Sequence, residues 1–376
     1  MSGRRLSILL TATLCLTGCS SAPTQRQLVN DAIAAMGGTE KLQAVQTLIM
    51  KGDGSRWRLG QAAKRGDSEQ PAKLSNVVET IDLANSRAAH DYEIQLGNFM
   101  QHRREVITKR GEGADARPVG IQTVGTTTIM MSVPGLFSWS VHNSPEALLR
   151  RNVVSILTAA AESAPDSEPA VDREFEGRML KYAGAKTKAG ETVGLYFDPE
   201  SKLLQGFEVT DTETMLGDVP AQYILSDYKP AAGLTLPHKV TIRKKEAPYS
   251  EIQYSSIAVN DAAAADVFRI PDNLSAEADL AAAGDYVPMK LTKVADRVYQ
   301  AQSFRHHTLV VEFPSYVAIV EAPYTEIQSH ARARHRIAIP RQADSIRRSH
   351  TSPLRPHRRR PRHRRAWRDD SCGEAA

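Results

Sequence analysis

The sequence predicts an α+β protein built mainly from antiparallel strands, and three observations lead there. From Leu48 onward, short runs alternate apolar and polar residues between turn residues, the period-two pattern of half-buried strands. Helical periodicity is confined to two segments, Gln25 to Met36 and Pro145 to Glu162. The charge is split. Fourteen arginines and no lysine fall between Arg332 and Arg368, while residues 331–376 hold only four acids. The overall net charge of +5 therefore comes from that end, and the body is acidic. Net basicity is no argument for specific nucleic-acid binding by the body.

At the N-terminus, Arg4 and Arg5 precede an apolar run from Leu6 to Thr17, which is too short to span a bilayer. The run ends in Leu16-Thr17-Gly18-Cys19, followed by Ser20, Ser21 and Ala22. This pattern resembles a bacterial lipobox, which implies a diacylated Cys19 as the new first residue and a membrane as partner through that anchor. Ser20 resembles the sorting pattern for the periplasmic side of the outer membrane. A plain signal peptide cut after Ala22 is the alternative. Cys15 leaves with the signal and Cys19 carries lipid, so Cys372 has no intramolecular disulfide partner.

The body follows in order. Gln25 to Met36 is an amphipathic helix closed by Gly37-Gly38, residues suited to positive φ after a helix end. Asp198-Pro199-Glu200-Ser201 joins Val193–Phe197 to Leu203–Val209 as a hairpin. Lys239 to Arg243 and Glu251 to Tyr254 alternate cleanly. The longer helix, Pro145 to Glu162, carries Leu148, Val153, Ile156 and Leu157 near one face.

The succession Gly194–Asp198, Tyr223–Tyr228, Gly233–Ile242 and Ile257–Asn260 through Phe268–Pro271 resembles a periplasmic lipoprotein-carrier half-barrel. The resemblance covers residues 190–272 and implies a curved antiparallel sheet around helices with an apolar small molecule inside. Trp57, Phe99, Met130, Met131, Phe137 and Trp139 are the candidate lining residues, with ordinary core as the alternative.

A second domain is expected from Met289. Lys290–Ala301, Thr308–Phe313 and Tyr316–Val320 read as three strands, the last leading into Glu321-Ala322-Pro323. Their succession resembles the opening of a metallo-β-lactamase-fold hydrolase. Beyond Glu326 the apolar periodicity fails, and Arg, His, Pro and Ser dominate, a composition that cannot bury a core. Such composition also arises when GC-rich DNA is read out of frame. A one-base shift lets Thr351 to Pro356 become His-His-His-Phe-Asp-His, the zinc motif of that family. The resemblance implies an αββα fold and a zinc-bound water of lowered pKa in an intact relative. As written, the chain has Thr351, Ser352, Pro353, Leu354, Arg355 and Pro356 there, so no metal ligand and no catalytic residue is assigned. His306 and His307 are adjacent, so in a strand they face opposite sides and do not chelate together.

The expected organisation is a lipoprotein signal over residues 1–18 and a β-rich domain over 19–288 with a linker from about 273. The start of a metallo-β-lactamase-like domain over 289–330 and a disordered tail over 331–376 follow. Three readings compete. The first is an incomplete metallo-hydrolase lipoprotein, inactive and without cofactor as written, frameshifted near residue 331. The second is a non-enzymatic carrier or binding lipoprotein for an apolar ligand. The third treats the tail as an anion-binding arm.

Overall fold

The computed structural model describes residues 22–57, 70–111, 113, 116–131, 145–188, 190–213, 217–283, 290–303, 306–320 and 346–348. The chain divides into two compact units, Met1–Glu213 with Asp218–Pro288, and Met289–Ala376 with Thr214–Gly217. Cys19 and Thr351–Pro356 lie outside the described residues.

The first unit opens with helices α1 (Gln25–Ala35) and α2 (Thr39–Gln43). A meander follows: β1 (Thr47–Arg56), β2 (Ala72–Asp82), β3 (Arg87–Leu96), β4 (Phe99–Arg110), β5 (Arg117–Val124) and β6 (Thr127–Met131). Helices α3 (Pro145–Arg151) and α4 (Val153–Ser163) lead to a second meander. Its strands are β7 (Val171–Phe175), β8 (Arg178–Lys186), β9 (Thr192–Phe197), β10 (Leu204–Glu213), β11 (Gly217–Ala231), β12 (Leu234–Lys244) and β13 (Ala247–Val259). Helix α5 (Ser275–Ala283) closes the unit, within the stretch expected to be linker from about 273. First and last strands pair antiparallel, from Leu48 opposite Val259 to Arg56 opposite Ser250. The two meanders thereby form one open thirteen-stranded sheet, ordered β6-β5-β4-β3-β2-β1-β13-β12-β11-β10-β9-β8-β7.

Local chemistry explains the helix limits. Thr24 caps α1 by accepting from the Gln27 amide, and Leu28, Val29, Ala32 and Ile33 form its buried stripe. The expected single helix from Pro145 to Glu162 is two. Asn152 adopts extended φ/ψ, accepts from Ser155 N at 2.9 Å to start α4, and donates to Leu148 O at 2.7 Å to finish α3. Its short amide satisfies orphan backbone groups on both sides of the break.

Alternation along β3 sorts the two largest apolar clusters among the described residues. Ala88 faces the main cluster, where Val29 and Ile33 of α1 and Leu157 of α4 join Leu195, Phe197 and Phe207 of the sheet. Ala89 points the other way, toward Val119, Ile121 and Met130, which are covered by Phe268, Ala278 and Ala281. One sheet face thus carries α1 and α4, and β3–β6 carry α5 on the opposite face.

The second unit comprises β14 (Lys290–Ala295), β15 (Val298–Ser303), β16 (His306–Glu312), β17 (Val317–Val320) and β18 (Ile346–Arg348) in one sheet, in that order. Lys290–Ala301, expected as one strand, folds back at Asp296-Arg297, where Arg297 takes φ 57°. Strand β18 lies parallel to β17, inside the segment expected to be disordered. The metallo-β-lactamase expectation is corrected here. The described residues of this unit make a single meander with one parallel edge, without a helix, whereas an αββα fold needs two stacked sheets flanked by helices. Three alternating strands in succession describe any antiparallel meander, so the pattern did not select that fold.

Candidate binding site

A cavity of about 70 Å³ lies in the first unit between the sheet and the α3–α4 break. Inward residues of neighbouring strands form its floor: Leu48 and Met50 on β1, Leu225 on β11, Val240 and Ile242 on β12, Ile252 and Ile257 on β13. Leu148 and Val153 form its roof. Protein interiors are ordinarily close-packed, and this volume is several times the ~10–15 Å³ that one water needs. The aliphatic part of such a lining accepts apolar guests.

Two glycines on β1 bring the sheet tightly together beside the cavity. A Cβ on Gly52 would fall 2.0 Å from Gln253 O, and one on Gly54 would fall 2.1 Å from Glu251 O. Only glycine permits the β13 backbone to approach so closely, and the β1–β13 register slips between Lys51 and Gly52.

Among the described residues, two charged side chains stand in the cavity wall, Glu79 and Arg151. Glu79 pairs across the sheet with Met50, as Ile81 pairs with Leu48, so the alternation of β2 aims its carboxylate inward. It is 1% exposed. Tyr254 donates its hydroxyl to Glu79 Oε2 at 2.6 Å, while His90 Nε2 stands 3.6 Å from Oε1, beyond hydrogen-bond reach. Burial pushes the Glu79 acid up to about 7 against the opposing pull of the Tyr254 hydrogen bond. The Tyr254 phenol is held well above its ordinary range, first by burial and then by the Glu79 charge. The polar seam continues along the sheet. His90 stacks on Tyr92 with centroids 4.4 Å apart, and Arg56 donates to the hydroxyls of Tyr92 at 3.3 Å and Tyr249 at 2.9 Å.

Arg151, the last residue of α3, is held on three sides. Its Nη1 donates to Asp211 Oδ2 at 3.0 Å and to the Tyr223 hydroxyl at 3.3 Å, and Nη2 donates to Glu191 Oε1 at 2.5 Å. Burial opposes its charge, yet Tyr223, Asp211 and Glu191 together raise the guanidinium above its ordinary pKa. These contacts pin the cavity roof to β10, β11 and the loop before β9.

Of the residues first nominated for the lining, the three whose side chains are described, Trp57, Phe99 and Met130, are elsewhere. Trp57 is half-buried just beyond β1, and Phe99 is exposed on the β3–β4 hairpin. Met130 is buried in the cluster beneath α5, on the opposite face from the cavity. The side chain of Met131, and Phe137 and Trp139 entirely, lie outside the described residues. Aromatic and methionine content drew attention to these positions, but the lining is set by inward register. The signal for Glu79 was present in Val77-Val78-Glu79-Thr80-Ile81, a carboxylate on the same face as Val77 and Ile81. His307 is exposed at the start of β16, and the side chain of His306 lies outside the described residues. Among the described residues no three His, Cys, Asp or Glu side chains gather as a metal site would require.

Among solved structures the chain is similar to a DUF1329 family protein from Desulfovibrio piger, at 9% identity and TM-score 0.42, over 66% of this chain and 98% of that one. It is also similar to a LolA superfamily protein from Nitrosomonas europaea, at 10% identity and TM-score 0.31, over 67% and 97%. The Pseudomonas aeruginosa MucA/MucB complex matches at 10% identity and TM-score 0.17, over 77% and 76%. No family model and no curated protein matches. The single meander at 290–320, with no helix among the described residues of that unit, sets aside the incomplete-hydrolase reading. The zinc motif that a one-base shift over Thr351–Pro356 would give loses its family context, and those residues lie outside the described ones.

Proposed function

We propose that the chain is a non-enzymatic binding protein that holds the apolar part of a small molecule in the cavity between the sheet and the α3–α4 break. The observation that carries this reading is an internal space walled by aliphatic side chains from three consecutive sheet neighbours, β1, β13 and β12. Each methylene moved from water into such a space contributes about 0.8 kcal/mol, so even a short alkyl segment gains several kcal/mol before the costs of binding. Val240 is only half-buried and faces the cavity, so a larger side chain there occupies the ligand's place. Titration with an environment-sensitive apolar dye is expected to give saturable binding, weakened at least tenfold in Val240→Trp with unchanged circular dichroism. Equal binding by both proteins would place the dye elsewhere and end the reading.

The same proposal places the protein on the bacterial envelope through a lipid on Cys19, supported by the Leu16-Thr17-Gly18-Cys19 sequence. Metabolic labelling with a palmitate analogue is expected to mark the full chain and spare Cys19→Ala. Labelling of both would remove the anchor.

A further inference from the structure

The cavity has a polar end, and its chemistry says what kind of ligand head it receives. Of the two charged groups in the wall among the described residues, Arg151 is already bracketed by Asp211, Glu191 and the Tyr223 hydroxyl. Glu79 differs. Its Oε2 accepts the Tyr254 hydroxyl at 2.6 Å, and its Oε1 has His90 Nε2 only at 3.6 Å. The carboxylate is 1% exposed, sits opposite Met50 and stands in the cavity wall. A buried carboxylate is stabilised by a donor that also compensates its charge, and an anion beside it adds repulsion in a medium of low dielectric. We propose that the cavity selects amphiphiles whose head donates hydrogen bonds to Glu79, an alkyl ammonium before an alkyl alcohol, and discriminates against alkyl carboxylates.

This deepens the apolar-ligand reading and rests on it. The alkyl tail occupies the space between Leu48, Val240, Ile257 and Leu148, and the head reaches Glu79 on the β2 wall. The raised pKa of Glu79, caused first by burial, agrees with a carboxylate held in the wall by one short hydrogen bond, from Tyr254.

The test uses three probes of one chain length, dodecylamine, dodecanol and laurate, titrated below their micellar concentrations into the full chain at pH 8 by dye displacement. The expected order is amine tightest by about tenfold over alcohol, with laurate weakest. In Glu79→Gln the amine is expected to fall to within about threefold of the alcohol, whose own affinity stays nearly constant. The order in the unaltered chain stands without the variant, so a poorly folded variant does not blunt the test. Laurate binding as tightly as the amine would overturn the head assignment, as would an amine preference that survives Glu79→Gln. If none of the three displaces the dye, the apolar-cavity reading itself falls, which is a separate outcome.

Discussion

Glu79 is held between two demands, because its carboxylate lines an aliphatic cavity yet accepts a hydrogen bond from Tyr254. With its acid pushed from 4.5 to about 7, the folded chain keeps a proton that the unfolded chain releases as pH rises through that window. Stability from this group is therefore full below pH 4.5 and falls as pH rises to 7, by roughly 3 kcal/mol in total. Glu79→Gln keeps an acceptor for Tyr254 and removes the charge. It is expected to stabilise the protein by roughly 2–3 kcal/mol at pH 8 and to change little at pH 4.5. Urea unfolding at the two pH values reads this directly, and parallel pH slopes for the two proteins would contradict it. Arg151 behaves in the opposite sense. Arg151→Met takes the guanidinium from buried Asp211 and from Glu191 and is expected to cost about 3–5 kcal/mol, a loss that Asp211→Asn in the same chain partly restores. A loss under 1 kcal/mol in the single variant would mean that the ion pairs do not hold the roof. Neither residue was singled out from sequence, since a lone Glu in a strand and an Arg beside Arg150 ordinarily read as solvated.

At the scale of elements, the parts set by local chemistry were the legible ones. The helix after Thr24 closes at Gly37-Gly38, and the Asp198–Ser201 turn joins β9 to β10 with Leu204 opposite Phe197. Both rest on short-range signals. The break at Asn152 was missed because asparagine in an otherwise apolar helical run carries only a weak penalty, and the decisive bonds run both ways from one amide. That amide has a measurable weight. Asn152→Ala removes the cap of α4 and the bond that ends α3, and is expected to cost about 1–2 kcal/mol. Because Leu148 and Val153 on either side roof the cavity, the same variant is expected to weaken dye binding. Unchanged stability would show that α3 and α4 hold their places through packing alone. The β1 glycines were equally illegible, since their role depends on the Gln253 and Glu251 carbonyls about two hundred residues away.

At the scale of the whole molecule, long-range pairing decides what local pattern leaves open. Period two marks strands, but it does not say that β1 and β13 close two meanders into one sheet, or that three alternating runs after Met289 build a meander rather than half of a layered fold. The first unit nevertheless contains everything its core requires. Its main cluster draws on α1, α4 and the strands from β1 to β13, and its second cluster is covered by α5, which ends at Ala283. A chain ending at Pro288 therefore loses none of the apolar contacts of either cluster. It is expected to be soluble, to unfold in one cooperative transition, and to bind the apolar dye within about twofold of the full chain. Calorimetry together with dye titration checks both halves of this expectation. A broad, non-cooperative melt would mean that residues beyond Pro288 complete the fold. A cooperative melt without binding would mean that the cavity needs them, which would move the site out of the space bounded by β1, β2, β11, β12, β13 and the α3–α4 break.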